Sequence, residues 1–196
     1  MTEKEKLLYG ELYSGDDREL TDERIRAKKM CADYNSCPYN DFTKKSRLIE
    51  KLFGKKGENT WIEPNFFCDY GYNIFVGDKF YANHNCVILD CATVTFGDNV
   101  YIGPNCGFYT ATHPIDAETR NSGLEYAEPI TVGDNVWIGG NVCVMPGVTI
   151  GDNVVIGAGS VVVKDIPSGV VAVGVPCKPV RKIGTKEEEN KKLPNT

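Results

Sequence analysis

Between Val132 and Val163 the chain keeps a six-residue beat, which constrains its fold more than any other feature. The leading position reads Val132, Ile138, Val144, Ile150, Ile156 and Val162, and four places on from these stand Val136, Val142, Val148, Val154, Ser160 and Ile166. The residue after the leader is Gly133, Gly139, Met145, Gly151, Gly157 and Val163. A helix repeats about every 3.6 residues and a single strand about every 2, so neither produces a period of six. A parallel β-helix does. Each short strand takes one face of a triangular coil of about eighteen residues, and coils stack at the ~4.8 Å strand spacing. The leader then points inward, and a small residue follows where the chain turns a corner. GDN at 133–135 returns at 151–153, one coil later, as a repeated corner should.

The same phase runs upstream. It begins at Val76-Gly77-Asp78 and continues through Ala82 and Ile88 to Val94. A two-residue reset follows, and the phase restarts at Phe96-Gly97-Asp98-Asn99, with Ile102-Gly103 and Phe108 after it. The reset predicts a bulge or corner adjustment, not a domain boundary. From Tyr109 to Pro129 the phase is lost. This polar segment, with its Pro and Gly, must leave the stack as a loop, because inside it the backbone N–H and C=O groups would go unpaired.

Residues 1–57 are expected to be a helical segment. A charged run follows Thr21-Asp22. A second helix, capped by Asn40 or Asp41, carries Leu48, Ile49, Leu52 and Phe53 as one stripe before Gly54. Arg24, Arg26, Lys28 and Lys29 read as a solvated face. The repeat domain is expected over 58–183 with 109–129 extruded, and the charged, apolar-poor residues 184–196 as a flexible tail.

A net charge of −5 over 196 residues argues against wholesale binding to nucleic acid or to an anionic membrane. The stretch MTEKEKLLYGELYSGDD lacks a signal peptide's apolar run, and no eighteen-residue apolar segment occurs, so a cytoplasmic protein is expected. The eight cysteines contain no CxxC pair, and Cys86 and Cys106 share the phase of Val136 and Val142. They read as reduced thiols serving as small hydrophobes, not as disulfides or a zinc site.

Chemistry has few places to reside. The chain has two histidines, His84 and His113, too few for a three-histidine zinc site. No GxSxG, Walker or GxGxxG arrangement is present. Imidazole is the side chain that takes up a proton near neutral pH without tuning. The sharpest reading of His113, inside the extruded loop, is therefore a general base, and the plain alternative is a loop histidine without a role.

The segments CDYGYNIFVG (68–77), YANHN (81–85), TATHPID (110–116), RNSG (120–123), NVWIGG (135–140) and GVTIGDNVVIGAGS (147–160) resemble those of the hexapeptide-repeat sugar O-acetyltransferases. EKEKLLYGELYSGDD (3–17) is most similar to the maltose branch of that family, with the galactoside enzymes more distant. The likeness spans residues 3 to about 182. It implies a mainly β fold, a left-handed parallel β-helix with a helical N-terminal segment and a long extruded loop. It also implies a homotrimer with active sites between subunits, acetyl-CoA as donor, no metal, and a small sugar acceptor such as maltose or glucose, often acetylated at the 6-hydroxyl.

By that resemblance His113 is the general base, and Asn83 donates to the intermediate or orients the acceptor. The Gly140 N–H would face the thioester oxyanion. Coenzyme A would lie along Ala158, Val163, Lys164, Lys178 and Arg181, with Trp137 as a flat contact. Lys178 stands where the galactoside enzymes carry arginine and keeps the charge without the two-pronged fork. Val163 replaces a hydroxyl residue. The implied acceptor contacts are Asp69, Tyr81, Asp90, Asp16 and Glu125. Asp69 stands in place of a serine, and Asp90 neighbours Cys91, which replaces a sugar-binding aspartate. Asp16 lies beside the aligned Gly15, and Glu125 could instead be a solvated carboxylate. The alternatives are a galactoside, oligosaccharide or antibiotic acceptor, or a non-catalytic β-helix scaffold.

Overall fold

The computed structural model describes residues 1–190. Its centre is a β-solenoid of stacked parallel coils with three faces. Face one stacks Ile74–Val76, Val94–Phe96, Ile130–Val132 and Thr149–Ile150. Face two stacks Trp61–Ile62, Tyr81–Ala82, Tyr101–Ile102, Trp137–Ile138, Val155–Ile156 and Val170–Val173, and is closed by the antiparallel strand Lys178–Lys182. Face three stacks Phe66–Cys68, Cys86–Leu89, Gly107–Tyr109, Cys143–Val144 and Val161–Val162.

The register puts the expected leaders in single inward columns. Val76, Phe96, Val132 and Ile150 stack on face one, and Ile88, Phe108, Val144 and Val162 on face three. All eight are at most 2% exposed. Each such aliphatic contributes roughly 1.5–3 kcal/mol of burial. At mid-height the column widens to aromatic rings, with the Phe80–Phe96 and Phe96–Phe108 centroids each 5.0 Å apart.

The GDN motif divides its labour among its three residues. Asp98 Oδ1 accepts from the Asp78 N–H at 2.7 Å, Asp134 from Asp98 at 2.7 Å, and Asp152 from Asp134 at 2.8 Å. The aspartate of each coil therefore closes a backbone group of the coil before it. The preceding glycine is required because a methyl at Gly97 would overlap Asp134 Oδ1 and the Gly133 carbonyl. Asn99, Asn135 and Asn153 follow at φ of 55°, 58° and 52°, a left-handed backbone that asparagine tolerates better than other side-chain-bearing residues.

The N-terminal segment caps the open end of the solenoid. Its helices are α1 (Glu3–Tyr9), α2 (Arg18–Asn35) and α3 (Phe42–Leu52). Asp41 caps α3, accepting from the Lys44 N–H at 3.0 Å, and Ile49, Leu52 and Phe53 enter the core with Leu48 partly buried against it. At the C-terminus of α2, Asn35 both accepts from Phe66 N–H and donates to Phe66 C=O, each at 2.9 Å, so a side chain replaces the missing strand.

Three elements differ from the sequence reading. The extruded segment is not merely a loop. It folds as a hairpin of Ala111–Thr112 with Leu124–Ala127, with α4 (Ala117–Asn121) at its tip, and the second strand also pairs with Tyr13–Ser14. Arg24 is not on a solvated face but half-buried, as the functional site explains. Of the expected tail, Lys186–Asn190 forms a short helix, α5, and Arg181 of the closing strand pairs with its Glu189; 191–196 lie outside the described residues. Among the described residues no helix is long and apolar enough to cross a membrane, and no group of His, Cys, Asp and Glu is placed to hold a metal ion.

Candidate active site

The coils turn three corners: GDN between faces one and two, a second between faces two and three, and a third between faces three and one. The third is the wide one. The hairpin carrying His113 leaves the stack there, and α2 packs alongside. Between them lies a cleft of about 480 Å³, lined by Asp16, Arg24, Lys28, Asp69, His113 and Glu125, with Cys91 on its wall. Four of the expected site residues, Asp16, Asp69, His113 and Glu125, thus come together from three separate segments.

Pairing of Tyr13 with Glu125 and Ser14 with Leu124 holds the hairpin against the N-terminal segment and sets Gly15 against the Glu125 carboxylate. Among the described residues no hydrogen bond reaches the His113 imidazole, so Glu125 shares the cleft with it without bonding to it. Arg24 is the cleft residue that the sequence reading left on a solvated face. Its guanidinium donates to Tyr70 OH at 2.7 Å, to Thr21 Oγ1 at 3.1 Å and to the Gly15 carbonyl. Those partners are neutral, so its charge is left to act on the cleft carboxylates. The available signal was helical spacing, since Arg24, Lys28 and Cys31 fall at i, i+4 and i+7 on one side of α2. Burial raises the Asp69 carboxyl above its ordinary range, and the neighbouring charges of Lys28 and Arg24 oppose that rise.

Asp90 is not an acceptor contact. It is 0% exposed, and both its oxygens are used. Oδ1 accepts from the Asp69 and Tyr70 N–H groups at 3.0 and 2.9 Å, and Oδ2 from Gly71 N–H at 2.6 Å. It holds the turn that presents Asp69, and burial pushes its carboxyl up to about 6. Tyr81 is also absent from the cleft. It stands on face two between Trp61 and Tyr101.

The remaining expected residues gather elsewhere. Asn83, Gly140 and Ala158 lie at the second corner. There Asn105 N–H bonds to His84 C=O, Asn141 N–H to Pro104 C=O and Gly159 N–H to Gly140 C=O, coil upon coil. Asn83 Oδ1 accepts from His84 N–H at 2.8 Å, and among the described residues its NH₂ has no acceptor. Among the described residues the Gly140 and Ala158 N–H groups likewise have no acceptor, so this corner offers free donors to a ligand. Trp137 flanks it on face two, 59% exposed. Val163 and Lys164 turn the third corner near the top of the stack. Lys178 and Arg181 lie on the closing strand, where Arg181 bonds to Glu189 at 2.7 and 3.0 Å.

Comparison with known proteins gives this arrangement a context. Residues 6–57 match the family described as maltose acetyltransferase hexapeptide capping motif, and 129–164 match bacterial transferase hexapeptide (six repeats). The galactoside O-acetyltransferase of Escherichia coli (strain K12) is 45% identical over 184 residues, 94% of this chain and 91% of that protein. The chain belongs to the maltose and galactoside O-acetyltransferase family. It is an acetyltransferase, which sets aside the non-catalytic scaffold. Among solved structures, a maltose O-acetyltransferase from Clostridium difficile 630 is 52% identical, with a TM-score of 0.93 over 94% of this chain and 99% of that one. A galactoside acetyltransferase in complex with coenzyme A is 44% identical, with a TM-score of 0.92 over 100% of this chain and 96% of that one.

Proposed function

We propose that the protein moves an acetyl group from acetyl-CoA to a hydroxyl, the 6-hydroxyl first, of a small sugar such as maltose or glucose. The observation that carries this reading is the third-corner cleft. Asp16, Asp69 and Glu125 can accept from sugar hydroxyls, Arg24 and Lys28 can donate to sugar oxygens, and His113 lies among them. His113 takes the proton of the attacking hydroxyl as its oxygen adds to the thioester carbonyl, then returns a proton to the departing thiolate. A positioned base contributes about 10²–10⁴-fold, or roughly 3–5 kcal/mol of barrier. The unpaired Gly140 N–H, with the Asn83 amide, suits the oxyanion that forms on the carbonyl.

The donor would lie along Ala158, Trp137, Val163 and Lys164, with Lys178 and Arg181 toward its phosphates. Arg181 reaches a phosphate only by leaving Glu189. Asn83 and His113 occupy different corners of one chain, so the proposal includes a homotrimer in which the second corner of one subunit faces the third corner of its neighbour. The eight free cysteines suit a reducing cytoplasm.

The test is His113→Ala. It should lower kcat at least tenfold while melting temperature and oligomeric state stay as in the parent. Unchanged turnover would remove the base from His113. A panel of maltose, glucose, galactosides, oligosaccharides and aminoglycoside antibiotics, followed by thiol release, identifies the acceptor.

A further inference from the structure

Behind the cleft two thiols meet. Cys31 lies on α2, two turns beyond Arg24, and Cys68 ends the lowest strand of face three, immediately before Asp69. Their sulfurs are 3.6 Å apart, and the residues are 1% and 4% exposed. Among the described residues this is the sole sulfur-to-sulfur hydrogen bond. A disulfide would require the sulfurs to approach by a further ~1.6 Å, which side-chain rotation and a small shift of α2 can supply.

Buried thiols are normally inert because nothing reaches them. These two line a hollow. It measures about 440 Å³, is bounded by Lys28, Cys31, Phe67, Cys68 and Leu89, and shares Lys28, Asp69 and Leu89 with the acceptor cleft. The two thiols are also unequal. The hydrogen bond between them holds the Cys31 thiol below its ordinary range against the opposing effect of burial, while that bond and burial together raise Cys68 well above it. Cys31 is therefore the readier nucleophile, with the Lys28 ammonium on the same wall.

We propose that Cys31 and Cys68 form an oxidation site, a dithiol that a peroxide converts to a disulfide stapling α2 onto the β-solenoid beneath the cleft. The Cys31 thiolate attacks one peroxide oxygen and the O–O bond breaks. The departing hydroxide takes the proton lost by Cys31 and becomes water, leaving a sulfenic acid. The Cys68 sulfur then attacks the Cys31 sulfur. The S–O bond breaks, and the hydroxyl leaves with the Cys68 proton as a second water. Two thiols are oxidised by two electrons, and one peroxide is reduced to two waters. The staple joins both walls of the cleft, since α2 carries Arg24 and Lys28 while Cys68 precedes Asp69.

The experiment treats the full-length protein with hydrogen peroxide under native conditions, blocks remaining thiols with an alkylating agent and maps the digest by mass spectrometry. Expected is a peptide pair joining Cys31 to Cys68, lighter by two hydrogens than its separate halves and reversed by reductant. The oxidised protein should melt about 5 °C or more above the reduced form. Cys31→Ser should form no such link, and if that variant fails to fold the wild-type map decides alone. Cys31 and Cys68 alkylated as in untreated protein, a link to some other cysteine, or an unchanged melting temperature would overturn the proposal. None of these readouts uses acetyl transfer, so the result is independent of the acceptor reading.

Discussion

Asp90 allows a sharp test of which force dominates beneath the cleft. Its carboxylate accepts three backbone N–H bonds, which favour the charged form, but it is wholly buried and lies near Asp69, which disfavour it. Burial prevails, lifting the carboxyl from 3.8 to about 6. Because the folded value is raised, the native state holds its proton more tightly than the unfolded chain between about pH 4 and 6. Stability is therefore greater below that window and is lost as pH rises through it. The rise from 3.8 to about 6, converted at 1.36 kcal/mol per pKa step, is roughly 3 kcal/mol.

The reference is Asp90→Asn, which cannot titrate and which sets an NH₂ or a single oxygen against the three N–H groups. Urea unfolding of both proteins at one fixed concentration, followed by tryptophan fluorescence from pH 4 to 7.5, gives a difference curve in which the other titrating groups largely cancel. Wild type minus variant should fall by about 3 kcal/mol across the window. A flat or rising difference would mean that the three N–H bonds outweigh burial, and the reasoning would fail.

One of the remaining predictions concerns the proposed chemistry and one the scaffold. Subunits carrying His113→Ala, unfolded and reassembled with subunits carrying Asn83→Ala, should regain activity that neither pure variant has, because mixed trimers of the proposed kind would contain some intact corner pairs. No recovery in verified mixed trimers would place both residues in one subunit's site. Gly97→Ala should destabilise the protein by roughly 2–4 kcal/mol in chemical denaturation, since its methyl overlaps Asp134 Oδ1; a change under about 0.5 kcal/mol would show that the corner yields easily.

What could be read from the sequence was whatever repeats along the coil. A solenoid contacts mainly its own previous turn, so Val132, Ile138 and Val144 announce their burial locally, as does Asp41 its cap. What could not be read were meetings between distant segments. Nothing near Tyr13 says that it will pair with Glu125, and nothing near Arg24 says that Tyr70 and Gly15 will draw it inward. Asp90 and Cys91 look alike as corner residues. Only the turn at 69–71, three strands earlier in the chain, makes Asp90 a buried anchor and leaves Cys91 on the cleft wall.

The departures from the six-residue beat also explain where the cleft lies. Along the columns, Cys68 to Val76 and Ile88 to Phe96 take eight residues to turn the third corner, while Val144 to Ile150 takes six. At the first of these corners the Asp69, Tyr70 and Gly71 N–H groups turn to a side chain, and Asp90 of the next coil accepts all three. Phe108 to Val132 takes twenty-four, and the surplus is the hairpin that carries His113. The small reset and the long interruption are thus two sizes of one event at the same edge of the prism. A six-residue corner opens no cleft into the stack, because each coil lies directly on the last. A widened corner, with the turn that Asp90 holds beneath it and the hairpin above, opens the cleft of about 480 Å³ in which the sugar is proposed to bind.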